Sequence, residues 1–91
     1  MPKIEKDIVI VSPQGLHARP AAIFVQIAMK YSSNITVKKD REVVNGKSIM
    51  GILMLGAHQN SKITITADGD DANEMIKELE EFLSRDERDS S

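Results

Sequence analysis

His17 stands in the run Gly15-Leu16-His17-Ala18-Arg19-Pro20, directly before an apolar segment with helical spacing. Neutral imidazole is a nucleophile, and the arginine two positions on carries a permanent charge on a planar fork of donors that fits phosphate. A helix N-terminus leaves backbone N–H groups without intrahelical partners and carries partial positive charge, so it receives anions. With His17 as N-cap, Ala18, Arg19 and Pro20 form the first turn, where the missing proline N–H would have had no partner in any case. The pattern is that of a phosphate site. Its plainer alternative is a histidine that only caps a helix.

A second signal lies at Asn45-Gly46-Lys47-Ser48, ahead of Ile49-Met50-Gly51-Ile52-Leu53-Met54-Leu55-Gly56. This reads as a short helix with Ser48 as N-cap and Gly56 just past its end. Six of the eight residues after Ser48 are large and apolar, more than one stripe against a sheet can bury, so part of the helix should face water as a docking patch. Methionine suits such a patch because its side chain adapts to several partners. A serine before a helix is ordinarily a cap and nothing more, yet a phosphate there would add about two negative charges that an acidic partner would repel. His58 has no such neighbourhood and reads as a loop residue. No acid lies at metal-ligand spacing from either histidine, so no metal site is expected. Met75 and Phe82 read as core.

The elements that must hold these residues follow from periodicity. Ile4 and the β-branched run Ile8 to Val11 form a first strand that ends at Ser12-Pro13-Gln14-Gly15 and delivers the chain to His17. Apolar positions 20, 23, 24, 27, 28 and 31 predict a helix to about Tyr31. Ile35 to Lys38 and Ile63 to Ala67 alternate as strands with one buried face, and Asp40 turns the chain into a shorter strand from Glu42 to Val44. Ala72, Met75, Ile76, Leu79, Phe82 and Leu83 trace one face of a last helix, with Asp70 or Asp71 as N-cap. The order β-α-β-β-α-β-α predicts an α+β open-faced sandwich. A late strand slots between the first two, and the helices lie on one face of a four-stranded antiparallel sheet. Ligand-binding and nucleic-acid-binding domains share the split β-α-β arrangement, so the fold alone does not decide function.

The chain has 91 residues, 12 basic and 14 acidic side chains, a formal charge of −2 and no cysteine. One domain over residues 1–83 with a charged tail over 84–91 is expected, held by packing rather than disulfides. Without thiols, the common structural zinc sites and thiol catalysis are excluded. One tyrosine, two phenylalanines and no tryptophan offer little to stack bases, and no basic stripe tracks a phosphate backbone, which argues against nucleic acid as the main ligand. No apolar run approaches the roughly 20 residues of a membrane span, and Met1 to Asp7 is charged rather than signal-like, so a cytoplasmic protein without membrane insertion is expected.

Taken together, Gly15 to Ala21, Val44 to Gly51, Leu55-Gly56-Ala57 and Ala67-Asp68-Gly69 resemble the histidine-containing phosphocarrier (HPr) family of the bacterial phosphoenolpyruvate-dependent phosphotransferase system, over about Ile4 to Leu83. The resemblance implies the open-faced sandwich just described. It implies a covalent carrier without independent turnover, which takes a phosphoryl group from enzyme I and passes it to enzyme IIA domains in sugar transport. His17 would be phosphorylated, with Arg19 beside the phosphate and no cofactor. Ser48 would be the regulatory serine of the ATP-dependent HPr kinase/phosphorylase, and a transcriptional regulator would join the partners once Ser48 is modified. Leu16, Pro20, Lys47, Ile49, Met50 and Leu53 would meet partners, and the chain would be a monomer. The competing readings are a purely regulatory adapter controlled at Ser48 and a ligand- or RNA-binding split β-α-β domain; His17 argues against paralogues in which glutamine replaces it. Asp40-Arg41-Glu42 departs from the usual Gly-Lys turn, and Asn60 stands where glycine is usual, a position asparagine tolerates if the backbone is left-handed.

Overall fold

The computed structural model describes residues 3–84, so the expected tail lies, beyond Ser84, outside the described residues. Strands β1 (Lys3–Val9), β2 (Asn34–Lys39), β3 (Glu42–Asn45) and β4 (Lys62–Asp68) form one antiparallel sheet in the order β1-β4-β2-β3. Helices α1 (Ala18–Met29), α2 (Ile49–Met54) and α3 (Ala72–Leu83) complete the order β-α-β-β-α-β-α. The last strand sits between β1 and β2 and is antiparallel to both, so β1 and β2 run parallel and α1 is the crossover that joins them.

Register follows from which residues must be dry. Ile8 faces Ile63, Ile65 faces Val37 and Ala67 faces Ile35, and all six lie in the core with Phe24, Ile52, Met75 and Leu79 from the helices. A slip of one residue would turn that row to water. Lys6 falls on the same inward row of the edge strand β1, opposite Ile65, and reaches Glu80 of α3 at 3.5 Å. An inward charge on an edge strand also discourages pairing with another chain.

The buried stripe of α1 is Pro20, Ala21, Phe24, Val25 and Ala28, whereas Ile23 is 36 % exposed and Ile27 only partly buried. The expected stripe through 20, 23, 24, 27, 28 and 31 is therefore rotated. Two adjacent stripes of this helix are apolar, and the one bearing Ala21 and Ala28 lets the backbone approach its neighbours more closely. The helix ends at Met29 rather than Tyr31. On α3 the expected face is buried at Ala72, Met75, Ile76, Leu79 and Leu83, with Phe82 at its margin. The unusual turns survive through their backbones: Asp40 has φ 56° and Asn60 φ 73°.

Candidate functional site

His17 occupies the N-cap of α1 with φ −88° and ψ −166°, and its carbonyl accepts the Ala21 N–H at 2.9 Å, while its side chain makes no capping bond to the helix. The amides of Ala18 and Arg19 have no carbonyl one turn back to bond, and Pro20 has no amide, so two donors define the mouth of this helix. His17 is half-buried and Arg19 exposed. The Nε2 edge of the imidazole is enclosed by protein.

Backbone holds this loop in place. The Leu16 N–H donates to the Ala57 carbonyl at 2.8 Å, and Gly15, at φ +69°, lies so close that a Cβ would come within 2.5 Å of the Ala57 oxygen and 2.7 Å of the His58 Cα. Only glycine meets both conditions. Leu16 is 4 % exposed and packs in the core, and Pro20 is buried as well, so neither offers its side chain to a partner as the resemblance suggested. The reason is local: in an extended stretch, neighbouring side chains point apart, and sinking Leu16 turns His17 outward.

Ser48 is the N-cap of α2 with φ −113° and ψ 116°, and its hydroxyl oxygen accepts the Gly51 N–H at 3.1 Å. The surplus apolar surface expected here is present: Ile49 is 44 %, Met50 66 % and Met54 68 % exposed, while Ile52 is buried and Leu53 half-buried. Lys47 is half-buried, and its ammonium donates to the Tyr31 carbonyl at 2.8 Å, beyond the last turn of α1.

These contacts fix how α1 and α2 lie together. Lys47, ahead of α2, touches the C-terminal end of α1, and Ala57, after α2, holds the loop ahead of α1. The two helices therefore run antiparallel, with His17 at the N-terminal end of α1 and Ser48 towards its C-terminal end. The exposed residues of α2 occupy the span between those ends.

The far end of α1 carries a polar cluster that periodicity does not reveal. Asp71, expected to cap its own helix, instead accepts the backbone N–H groups of Ser32 and Ser33, both at 2.9 Å, and both serine hydroxyls. The Ser33 hydroxyl, then the Ser32 amide, hold its carboxyl down at about 2. Glu78 accepts from the Tyr31 hydroxyl and the Lys30 ammonium, and its carboxyl is lowered by Lys30 first and Tyr31 second. The same bond to Glu78 pushes the Tyr31 hydroxyl up to about 12. Nothing local in the sequence announces these pairs, whose members lie 38 to 48 residues apart.

A histidine and an arginine at the mouth of one helix thus lie beside a serine-capped apolar helix that runs antiparallel to it. The family model for the PTS HPr component phosphorylation site covers residues 4–85. The chain belongs to the HPr family. A phosphocarrier protein HPr from Bacillus anthracis is 40 % identical, with 92 % of this chain and 100 % of that one covered at a TM-score of 0.88. HPr from Thermoanaerobacter tengcongensis is 51 % identical over 88 % of this chain and 90 % of that one, at 0.85. The catabolite repression protein Crh of Bacillus subtilis, solved as a swapped dimer, is 39 % identical over 78 % and 82 %, at 0.71. Membership makes this chain a phosphocarrier-family component of the phosphotransferase system and fits carbon catabolite regulation. Among the described residues no helix is long and apolar enough to cross a membrane.

Proposed function

We propose that His17 accepts a phosphoryl group from enzyme I, itself charged by phosphoenolpyruvate, and hands it to enzyme IIA domains of the sugar phosphotransferase system. The observation that carries this reading is the imidazole placed at the N-cap of α1, half-buried beside the amides of Ala18 and Arg19 that no helical carbonyl can occupy. As the bond from an imidazole nitrogen to phosphorus forms, the bond from phosphorus to the donor breaks, and transfer onward reverses the sequence. The amides of Ala18 and Arg19 and the Arg19 guanidinium are suited to hold the phosphoryl oxygens. Little covalent chemistry is asked of the chain, because phosphoryl transfer depends chiefly on positioning and electrostatics, and the partner completes both. The chain is a carrier without turnover of its own.

Ser48 is the regulatory position for an ATP-dependent HPr kinase/phosphorylase, and its phosphorylated form offers a surface to a transcriptional regulator. Its distance from His17 means that a phosphate there acts through the shared docking stripe of Ile49, Met50 and Met54, which an acidic partner would then avoid. The chain works as a cytoplasmic monomer. Incubation with enzyme I and phosphoenolpyruvate should add one acid-labile phosphate, and His17→Ala should abolish it. Wild-type protein left unlabelled under those conditions would refute the relay and favour an adapter controlled at Ser48.

A further inference from the structure

Away from the mouth of α1, the β2–β3 turn, the first residues of β4 and the loop after α2 enclose a cleft of about 470 Å³. Its walls carry Lys38, Lys39 and Lys62 together with His58, Ser61 and Thr64, and Asp40 is the acid among them. The chain as a whole is slightly acidic, at −2, so this concentration of positive charge is local. Asp40 lies 3.5 Å from the Lys39 ammonium, while Lys38 and Lys62 have no ion pair among the described residues.

Register brings those two lysines together. Lys38 of β2 pairs with Thr64 of β4, and Lys62 lies two positions before Thr64 on the same face of β4. Lys38 and Lys62 are therefore diagonal neighbours across the pair, a relation that spaces residues about 7–8 Å apart. Asp7 of β1 stands opposite Thr64 on the other side and accepts its hydroxyl at 2.7 Å, so a carboxylate flanks Lys62 on the β1 side, while on the β2 side the two lysines repel each other until an anion comes between them. The loop beside them is fixed: the Asn60 N–H donates to the Ile10 carbonyl at 2.8 Å, the Ile10 N–H to the Ser61 carbonyl at 2.9 Å, and the His58 N–H to Ser61 Oγ at 3.1 Å. Because Ser61 Oγ accepts in that last bond, its own proton remains available as a donor.

We infer that this cleft is a binding site for a small phosphorylated molecule, with Lys38 and Lys62 clasping a phosphate or diphosphate group and Ser61 as a further donor. Lysine serves such groups as a compact point charge, and the volume falls within the roughly 300–1,000 Å³ of small-molecule sites, leaving room for an organic body beside the phosphate. The site shares no side chain with His17. It abuts the acceptor loop only through the Ala57–His58 backbone, against which Gly15 rests.

The test is a titration of the uniformly nitrogen-labelled whole chain with sodium pyrophosphate, followed by amide chemical shifts, with ionic strength held constant by sodium chloride. Saturable shifts are expected at Lys38, His58, Ser61 and Lys62, and the double variant Lys38→Gln/Lys62→Gln should weaken binding by about tenfold or more. Shifts centred on Ala18 and Arg19, shifts that sodium chloride alone reproduces, or a double variant with undiminished affinity would each overturn the inference. Both substitutions are at exposed positions, and an unchanged spectrum elsewhere verifies the fold. Labelling of His17 by enzyme I should be retained in that variant. Its loss would overturn the separation of the two sites, whereas failure of the wild type to be labelled bears on the carrier reading alone.

Discussion

At the C-terminal end of α1, side chains do the fastening: Lys47 binds the Tyr31 carbonyl, Glu78 receives Tyr31 and Lys30, and Asp71 receives Ser32 and Ser33. At the N-terminal end the fastening is backbone on backbone, Leu16 to Ala57 with Gly15 pressed against His58, and no side-chain cap closes the helix. A carrier needs an acceptor held in position whose surrounding donors are not already committed. Using backbone to hold the His17 loop leaves Arg19 and two helix amides outside any helix cap, the donors on which the proposed carrier role calls, while the opposite end is closed by its own side chains.

If that division holds, the largest effect on folding should come from the glycine that makes the backbone contact. Gly15 and Gly56 share the same left-handed conformation, φ +69° and +61°, but nothing lies within 4 Å of a Cβ at Gly56. Gly56→Ala should therefore cost about 1 kcal/mol, the backbone preference alone. Gly15→Ala adds a collision with main-chain atoms that cannot swing aside and should cost about 3 kcal/mol. It should also slow His17 labelling at temperatures where the protein is still folded. Equal denaturation midpoints for the two variants would show that the acceptor loop is held by something else.

Asp71→Ala is the matching break at the other end. It leaves the amide and hydroxyl of Ser33, a residue only 2 % exposed, without their acceptor, and should lower the melting temperature by several degrees without changing the His17 labelling rate. The acid limb gives the same information. Asp71 has its carboxyl lowered from 3.8 to about 2, so its contribution is present above the unfolded value and is lost as pH falls from about 5 towards 2. The difference in stability between wild type and Asp71→Ala should shrink over that interval. A constant difference would mean that the carboxylate charge is not what the serines hold.

Most of the architecture is readable in the sequence because it follows from local periodicity. The alternation in Ile35 to Lys38 and Ile63 to Ala67 orients both strands, and the α3 stripe names its own core face. Ser48 as a cap is equally local, since donor and acceptor are three residues apart. Legibility fails where several apolar stripes compete, as in α1, and where the partner is distant in the chain. Asp71 before a helix looks like a cap for that helix, and only the folded chain brings Ser32 and Ser33 within its reach. The motif around His17 marks the loop but not which of its residues face outward, so Leu16 reads as surface until the Ala57 contact buries it.

Ser48 lies between the two regimes, a structural cap at the edge of an exposed patch, and two substitutions separate those roles. Ser48→Ala removes the oxygen that receives the Gly51 N–H and should cost about 1 kcal/mol while leaving transfer to enzyme IIA near normal. Ser48→Asp keeps a capping acceptor, so stability should stay close to wild type, but it sets a negative charge beside Ile49 and Met50 and should slow transfer. Slowing by both variants alike would assign the effect to the helix cap rather than to charge in the docking stripe.

The smallest expected effect concerns Tyr31, the chain's single tyrosine, which makes an ultraviolet absorbance titration unambiguous. Its hydroxyl donates to Glu78, and that bond first, with the nearby carboxylates adding to it, raises its titration from 10.0 to about 12. A group raised in the folded state contributes stability that is whole below the unfolded value and is lost as pH climbs through the folded one. Tyr31→Phe should thus lower the melting temperature by only a degree or two at neutral pH, since a partly exposed bond can be replaced by water, and the gap should close between pH 10 and 12. The difference between the two curves carries the signal. A folded-state midpoint near 10 would detach Tyr31 from Glu78 and leave Lys30 and Asp71 to fasten that end of α1.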